Sequence, residues 1–284
     1  MEVKKIGVLG AGTMGGGIAH HAASCGFEVV LCDVEQRFVD EAIERAAAIM
    51  DKRIAKGKLS EEDKTLTLKR IKTSTKMEDF SSVDFVIEAI IEDLKIKTEA
   101  IEKLDKICRP EVIIATNSSS MSVTSLASAT SRPDRVAGMH FFNPPQVMKL
   151  VEIVRGYDTS DETVKCIEEV ADALDKTTIC AEKDTPGFIV NRLLFAQFLE
   201  AVRMYEEGVA SKEDIDTGIK LGLNHPMGPF ELMDYGSLDL AIQVTDYFFN
   251  ETKDPKWTAP HALKSVVRAG RYGRKNGAGW YDYD

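Results

Sequence analysis

Residues 5–33, "KIGVLGAGTMGGGIAHHAASCGFEVVLCD", place a short apolar run before a glycine cluster, then a small-residue helical stretch, a second apolar run and a terminal acid. Strand, glycine turn, helix, strand and acid in that order form a dinucleotide-binding fingerprint. The flanking runs supply the context that an isolated G-x-G-x-x-G lacks. Gly10 permits the tight turn, Gly12 lets a pyrophosphate approach the backbone, and Gly15 lets helix and strand pack closely. Thr13 and Met14 complete the turn and belong with the same cofactor contact. The helix N-terminus then presents its unsatisfied N–H groups to phosphate. Asp33, about 20 residues on, stands where a carboxylate accepts hydrogen bonds from a ribose diol and repels a 2′-phosphate, which favours NAD over NADP. FAD is compatible with the fingerprint alone.

Outward from this stretch, β-like runs alternate with helical ones as far as residue 185: "VDFVIEAI", "EVIIAT", "RVAGMHF", "KLVEIV" and "TTICAE". That alternation predicts a Rossmann-like, doubly wound α/β sheet, mostly parallel, with helices on both faces. Residues 36–70 exceed a plain crossover and predict a helical hairpin projecting from the sheet, with Gly57 closing its first helix and Ser60 capping its second. Beyond residue 185 the β-like runs cease. "TPGFIVNRLLFAQFLEAVRMYEEG" predicts a long buried helix with Thr185 as N-cap, Pro186 at N1 and Gly208 at its end. "SKEDIDTGIKLG" predicts another, with Ser211 and Asp214 in a capping box. The expected division is 1–184, an NAD-binding domain, and 185–284, an all-helical C-terminal domain for substrate contact and dimerisation.

With 284 residues, 44% of them hydrophobic, the chain is expected to pack as an ordinary globular protein. Its net charge of −10 disfavours nucleic acid and anionic membrane as general partners. No apolar run reaches the roughly 18 residues of a membrane helix, and "MEVKKIGVLG" enters a strand at once, so a soluble cytoplasmic protein is expected. Five scattered cysteines, without a C-x-x-C pair or a histidine cluster at metal spacing, read as reduced thiols in buried or half-buried positions and predict no metal site.

"GMHFFNPPQVMKLVEIV", residues 138–154, reads as two strands around a Pro144-Pro145 turn, yet its apolar surroundings hold His140 and Glu152. Taken alone, the two read as a satisfied core histidine and an unrelated acid. Together with "NSSSMSVTSLASA", "TPGFIVNR" and "NHPMGPFELMD", the stretch closely resembles the 3-hydroxyacyl-CoA dehydrogenase family. The resemblance runs from "LGAGTMGGGIA" to the tail "GRKNGAGWYDYD". The chain looks most like the stand-alone bacterial members that act on 3-hydroxybutyryl-CoA.

This resemblance implies an NAD-dependent interconversion of a short-chain 3-hydroxyacyl-CoA and its 3-ketone. It carries over His140 as general base, with Glu152 as the acid that orients it. Ser119 and Asn191 are carried over as neutral donors to the substrate's 3-oxygen. Further NAD contacts fall at Glu92, Lys97 and Asn117, and the phosphates of CoA at Lys52 and Lys56 within "DKRIAKGK". By the bare residues, Glu92 and Lys97 would otherwise be a solvated charge pair on a helix, and the two lysines fit a solvated helix face equally well. Where many relatives read Asn-Thr-Ser-Ser, this chain has Asn117-Ser118-Ser119-Ser120. The resemblance also implies a homodimer. Two other readings share the fingerprint: a dehydrogenase of free hydroxy acids or dicarboxylyl-CoA, and a non-catalytic NAD-binding sensor. The intact set Ser119, His140, Glu152 and Asn191 argues against the second.

Overall fold

A computed structural model describes residues 2–283, which divide into two compact units, the first ending at Thr185 and the second starting at Pro186. The first unit is built on one sheet of eight strands: β1 (Lys5–Leu9), β2 (Glu28–Cys32), β3 (Ile71–Ser74), β4 (Phe85–Glu88), β5 (Ile113–Thr116), β6 (Val136–Phe141), β7 (Leu150–Arg155) and β8 (Thr177–Ala181). Their order is β3-β2-β1-β4-β5-β6-β7-β8. Neighbours from β3 to β6 are parallel, β7 is antiparallel to β6, and β8 is parallel to β7. Strand order reverses at β1, between β2 and β4. Doubly wound sheets bind their ligands at such a point, outside the carboxyl ends of the strands. Strands β4, β5 and β6 are buried at every residue, which is why their sequences run apolar without alternation.

Helix α1 (Thr13–Ser24) follows β1, and α2 (Gln36–Ile54) and α3 (Glu61–Lys69) form the hairpin between β2 and β3. Its turn holds Gly57 at φ +65°, and Ser60 caps α3 through a reciprocal pair of hydrogen bonds with Asp63. Val39, Ala42, Ala46 and Met50 bury one face of α2. Gly16 of α1 admits this close approach, since a Cβ there would lie 3.0 Å from that of Ala42. Directly after the hairpin comes β3, a strand absent from the sequence reading. Its four residues, "IKTS", hold one large apolar side chain and pair with β2 alone, so neither alternation nor a continuous apolar run marks them. Helices α4 (Leu94–Ile107), α5 (Val123–Ala127) and α6 (Asp161–Ala173) complete this unit.

The second unit holds α7 (Val190–Glu206), α8 (Lys212–Gly222), α9 (Pro229–Gly236), α10 (Leu238–Thr252) and α11 (His261–Arg268). Its core is aromatic, with Phe230 edge-on to Trp280 at 4.9 Å and Phe248 edge-on to Trp257 at 5.0 Å. Two buried carboxylates organise it. Asp216 accepts the first N–H groups of α9, from Phe230 and Glu231, and Asp234 accepts those of Trp280 and Tyr281 in the tail. Burial, first, and the Asp234 carboxylate, second, push the Tyr283 phenol up to about 12, so the hydroxyl keeps its proton to donate to Asp234.

Three expectations need correction. Helix α7 starts at Val190, not at Pro186, because Gly187 (φ +75°) and Phe188 (φ +49°) are both left-handed and cannot continue a right-handed helix. The same helix is amphipathic rather than wholly buried, with Leu193 69% exposed. Cys25 is exposed, while Cys32, Cys108 and Cys166 are buried. Burial pushes the Cys32 and Cys108 thiols up to about 11, which keeps them protonated and unreactive near neutrality. Among the described residues no helix is long and apolar enough to cross a membrane.

A Cβ at Gly187 would sit 2.3 Å from the Phe248 ring and 2.9 Å from the Arg192 nitrogen. Gly187→Ala combines this overlap with a disfavoured φ and is expected to cost at least ~2 kcal/mol. A thermal melt of the variant matching that of the unmodified chain would refute this account.

Candidate active site

His140 and Glu152 face each other across the only antiparallel strand pair of the described sheet, as partners in register. Directly opposed residues share a sheet face, so β6 and β7 bring the two side chains together without help from any loop. His140 Nδ1–H donates to Glu152 Oε2 at 2.7 Å; the imidazole is 5% exposed and the carboxylate 0%. With Nδ1 bearing the proton, Nε2 is the basic nitrogen of the neutral ring. The Phe142 ring lies 4.6 Å from the imidazole. The loop between the two strands is clamped by Lys176, whose ammonium donates to the carbonyls of Pro145 at 2.7 Å and Met148 at 2.8 Å. Burial holds that ammonium below the usual lysine range.

The end of β4 carries a second buried carboxylate. Glu88, 0% exposed, accepts from Lys97 Nζ at 2.7 Å, from the Ile90 amide at 2.8 Å and from the Thr116 hydroxyl at 2.7 Å. Lys97 is 1% exposed and also meets Glu92 at 3.3 Å, so the solvated-pair reading fails: α4 buries its lysine against the sheet. Glu92 in turn accepts from the Ser118 hydroxyl, from the Ser119 amide at 3.1 Å and from the Ser120 hydroxyl at 3.4 Å. Asn117 Oδ1 accepts the Phe141 amide at 2.9 Å, tying this serine loop to the residue after His140. One unit therefore gathers His140, Glu152, Asn117, Ser119, Glu92 and Lys97 at the carboxyl ends of β4, β5 and β6.

The fingerprint glycines act as three different constraints. Gly10 has φ +103°, and a Cβ on it would lie 2.4 Å from the Ala89 carbonyl oxygen; one on Gly15 would lie 1.9 Å from that of Gly10. A Cβ on Gly12 would meet nothing within 4 Å beyond its chain neighbours, so open space lies above the backbone there. It is also the N-cap of α1, and no side chain caps the helix there. Asp33 pins the turn from β2: its Oδ2 accepts the Ala11 amide at 2.6 Å. Thr13 and Met14 occupy the first turn of α1. Arg45 steadies the same turn from α2 by donating to the Ala11 carbonyl at 2.8 Å.

Lys52 and Lys56 are both exposed at the hairpin, but they do not share a regular helix face. Helix α2 ends at Ile54, and Lys56 lies in the tightened turn beyond it, its amide bonded to Arg53. Asn191 is half-buried in the first turn of α7, in the second unit.

Known proteins resemble the whole chain. The model of the 3-hydroxyacyl-CoA dehydrogenase NAD-binding domain matches residues 5–185, and that of the C-terminal domain of the same dehydrogenases matches 187–283. The chain belongs to the 3-hydroxyacyl-CoA dehydrogenase family. Among its relatives, the 3-hydroxybutyryl-CoA dehydrogenase of Clostridioides difficile is 42% identical over 99% of both chains. The probable 3-hydroxybutyryl-CoA dehydrogenase of Deinococcus radiodurans is 44% identical over 98% of this chain and 100% of its own. The crystal structure of (S)-3-hydroxybutyryl-CoA dehydrogenase from Ralstonia eutropha superimposes with a TM-score of 0.96 at 44% identity, covering both chains fully.

Membership makes NAD the cofactor of the first unit, and the residues present fit it. The open space over Gly12 is what a pyrophosphate needs, the uncapped end of α1 supplies N–H donors, and Asp33 stands at the end of the neighbouring strand. The sequence reading missed Glu88, Thr116 and Ser118. A signal for the first was present: an acid inside the apolar run "VDFVIEAI" is the same anomaly that singled out Glu152.

The glycine geometry separates folding from binding. Gly15→Ala is expected to lower the melting temperature sharply, because the new methyl strikes backbone. Gly12→Ala is expected to keep stability within about 1 kcal/mol and weaken NADH binding about tenfold or more. Fluorescence titration with NADH beside thermal melts checks both, and unchanged NADH affinity in Gly12→Ala would refute the assignment.

Proposed function

We propose that this chain catalyses the NAD-dependent interconversion of a short-chain 3-hydroxyacyl-CoA, of the 3-hydroxybutyryl-CoA kind, and its 3-ketoacyl-CoA in the cytoplasm. The observation that carries the proposal is the buried His140–Glu152 pair, in register on β6 and β7 of a sheet whose first strand bears the nucleotide turn.

His140 Nε2 accepts the proton of the 3-hydroxyl as the carbonyl forms, and returns it in the reverse direction. Glu152 holds the ring in the tautomer that leaves Nε2 basic, and stabilises the imidazolium once the proton has arrived. NAD, when bound, supplies the hydride acceptor. Ser119 and Asn191 donate hydrogen bonds to the 3-oxygen, where charge changes during the reaction, without adding a charge that would hold His140 in one state. Gly10, Gly12, Thr13, Met14, Gly15, Asp33, Glu92, Lys97 and Asn117 hold the cofactor, and Lys52 and Lys56 meet the phosphates of CoA. The Phe142 ring, 4.6 Å from the imidazole, helps exclude water from the reacting atoms.

A homodimer formed through the second unit belongs to the same proposal. That unit exposes Leu193, Val209, Leu221, Leu223 and Leu240, each more than half accessible, which is the surface an apolar interface would cover. Sedimentation at micromolar concentration is expected to show a dimer, and a monomer would count against it.

Reduction of acetoacetyl-CoA by NADH, compared with free acetoacetate and with NADPH, tests the reaction. Turnover is expected with the thioester and NADH; turnover of the free acid alone would defeat the CoA reading. His140→Gln is expected to lower turnover by at least ~10². Near-unchanged turnover in that variant would remove His140 from the role of base.

A further inference from the structure

We propose that Glu88 is a positioning residue of the dehydrogenase reaction, fixing the serine loop through its two carboxylate oxygens, while its main-chain carbonyl ties that loop to the strand end that carries His140. The proposal rests on the functional reading above and extends it to a fully buried residue that acts through Lys97 and Thr116.

Glu88 reaches the Ser118–Ser119 peptide by two routes. In the first, Oε2 accepts the Thr116 hydroxyl at 2.7 Å, and Thr116 Oγ1 accepts the Ser118 amide at 3.1 Å. In the second, Oε1 accepts from Lys97 at 2.7 Å; Lys97 meets Glu92 at 3.3 Å, and Glu92 accepts the Ser119 amide at 3.1 Å. The two routes close a ring around consecutive residues, so the backbone of Ser119 is over-determined rather than held at one point. The main chain of Glu88 adds a third tie. Its carbonyl accepts the Asn117 amide at 2.7 Å, and Asn117 Oδ1 accepts the amide of Phe141, next to His140.

Packing alone does not call for this arrangement. A buried ion pair is often no more stabilising than apolar residues of similar volume. A carboxylate at 0% exposure with every oxygen committed supplies direction instead: hydrogen bonds of fixed geometry to two elements that must stay aligned for proton transfer. Misplacement of a reacting group by about 1 Å is enough to cost ~10² in rate.

The test counts NADH sites by fluorescence titration and measures acetoacetyl-CoA reduction per site, so that a loss of folded protein does not register as a loss of rate. Glu88→Gln, which keeps shape and removes charge, is expected to lower kcat per site at least about tenfold, and Glu88→Asp to recover part of it. Thr116→Val removes only the hydroxyl link and is expected to lower kcat about threefold to tenfold, with the NADH dissociation constant unchanged. Thr116→Val at the rate of the unmodified chain overturns the proposal whether or not Glu88→Gln folds, and so does Glu88→Gln at that rate. If the unmodified chain itself fails to reduce acetoacetyl-CoA, the functional reading falls; if it is active and either variant matches it, only the role of Glu88 falls.

Discussion

A carboxylate cut off from water must find its donors inside the protein, and the first unit contains two of them, Glu88 and Glu152, each 0% exposed. Breaking the Lys97–Glu88 pair would leave a buried charge without its counter-ion, at a cost of about 3–5 kcal/mol. The local structure is arranged to prevent that. Glu152 is met by His140 through strand register, and Glu88 by Lys97, Thr116 and the Ile90 amide. The register of β4, β5 and β6 sets Glu88, Thr116 and Gly138 side by side, with His140 two residues beyond. Satisfying these two acids thus fixes the end of the sheet on which the chemistry depends.

The nucleotide turn solves the opposite problem, keeping a surface open rather than filling it. Gly10 and Gly15 are required by the fold, since side chains there would strike backbone at 2.4 Å and 1.9 Å. Gly12 is required only by what approaches from outside. Asp33 and Arg45 hold the two sides of Ala11 so that the turn is formed before any cofactor arrives. In a chain of net charge −10, the uncapped N-terminus of α1 provides a local positive end for phosphate.

Much of this was readable in the residues because each signal was local. The fingerprint lies within 29 consecutive positions, and the stretch that holds His140 and Glu152 within 17. Strand β3 was not readable, being a short polar edge. The start of α7 was misread because the capping pattern at Thr185 and Pro186 is sound by itself; the left-handed backbone at Gly187 and Phe188, with the Phe248 ring packed where a side chain on Gly187 would sit, delays the helix. Lys97 shows the same limit. By residue type alone it reads as a solvated partner of Glu92, and only the packing of α4 on the sheet places the ammonium against Glu88.

The residues themselves announced a dinucleotide turn, a doubly wound sheet, a helical second unit and a histidine with a nearby acid, because composition, period and glycine spacing act over a few turns of chain. Packing alone settled which polar groups meet. The antiparallel reversal at β7 puts Glu152 opposite His140, and the apposition of β4, β5 and α4 joins Glu88 to the serine loop. A hydrogen bond of 2.7 Å between residues 28 positions apart, as from Thr116 to Glu88, depends on how strands are ordered and registered, and that order follows from burying apolar faces across the whole unit rather than from any single stretch.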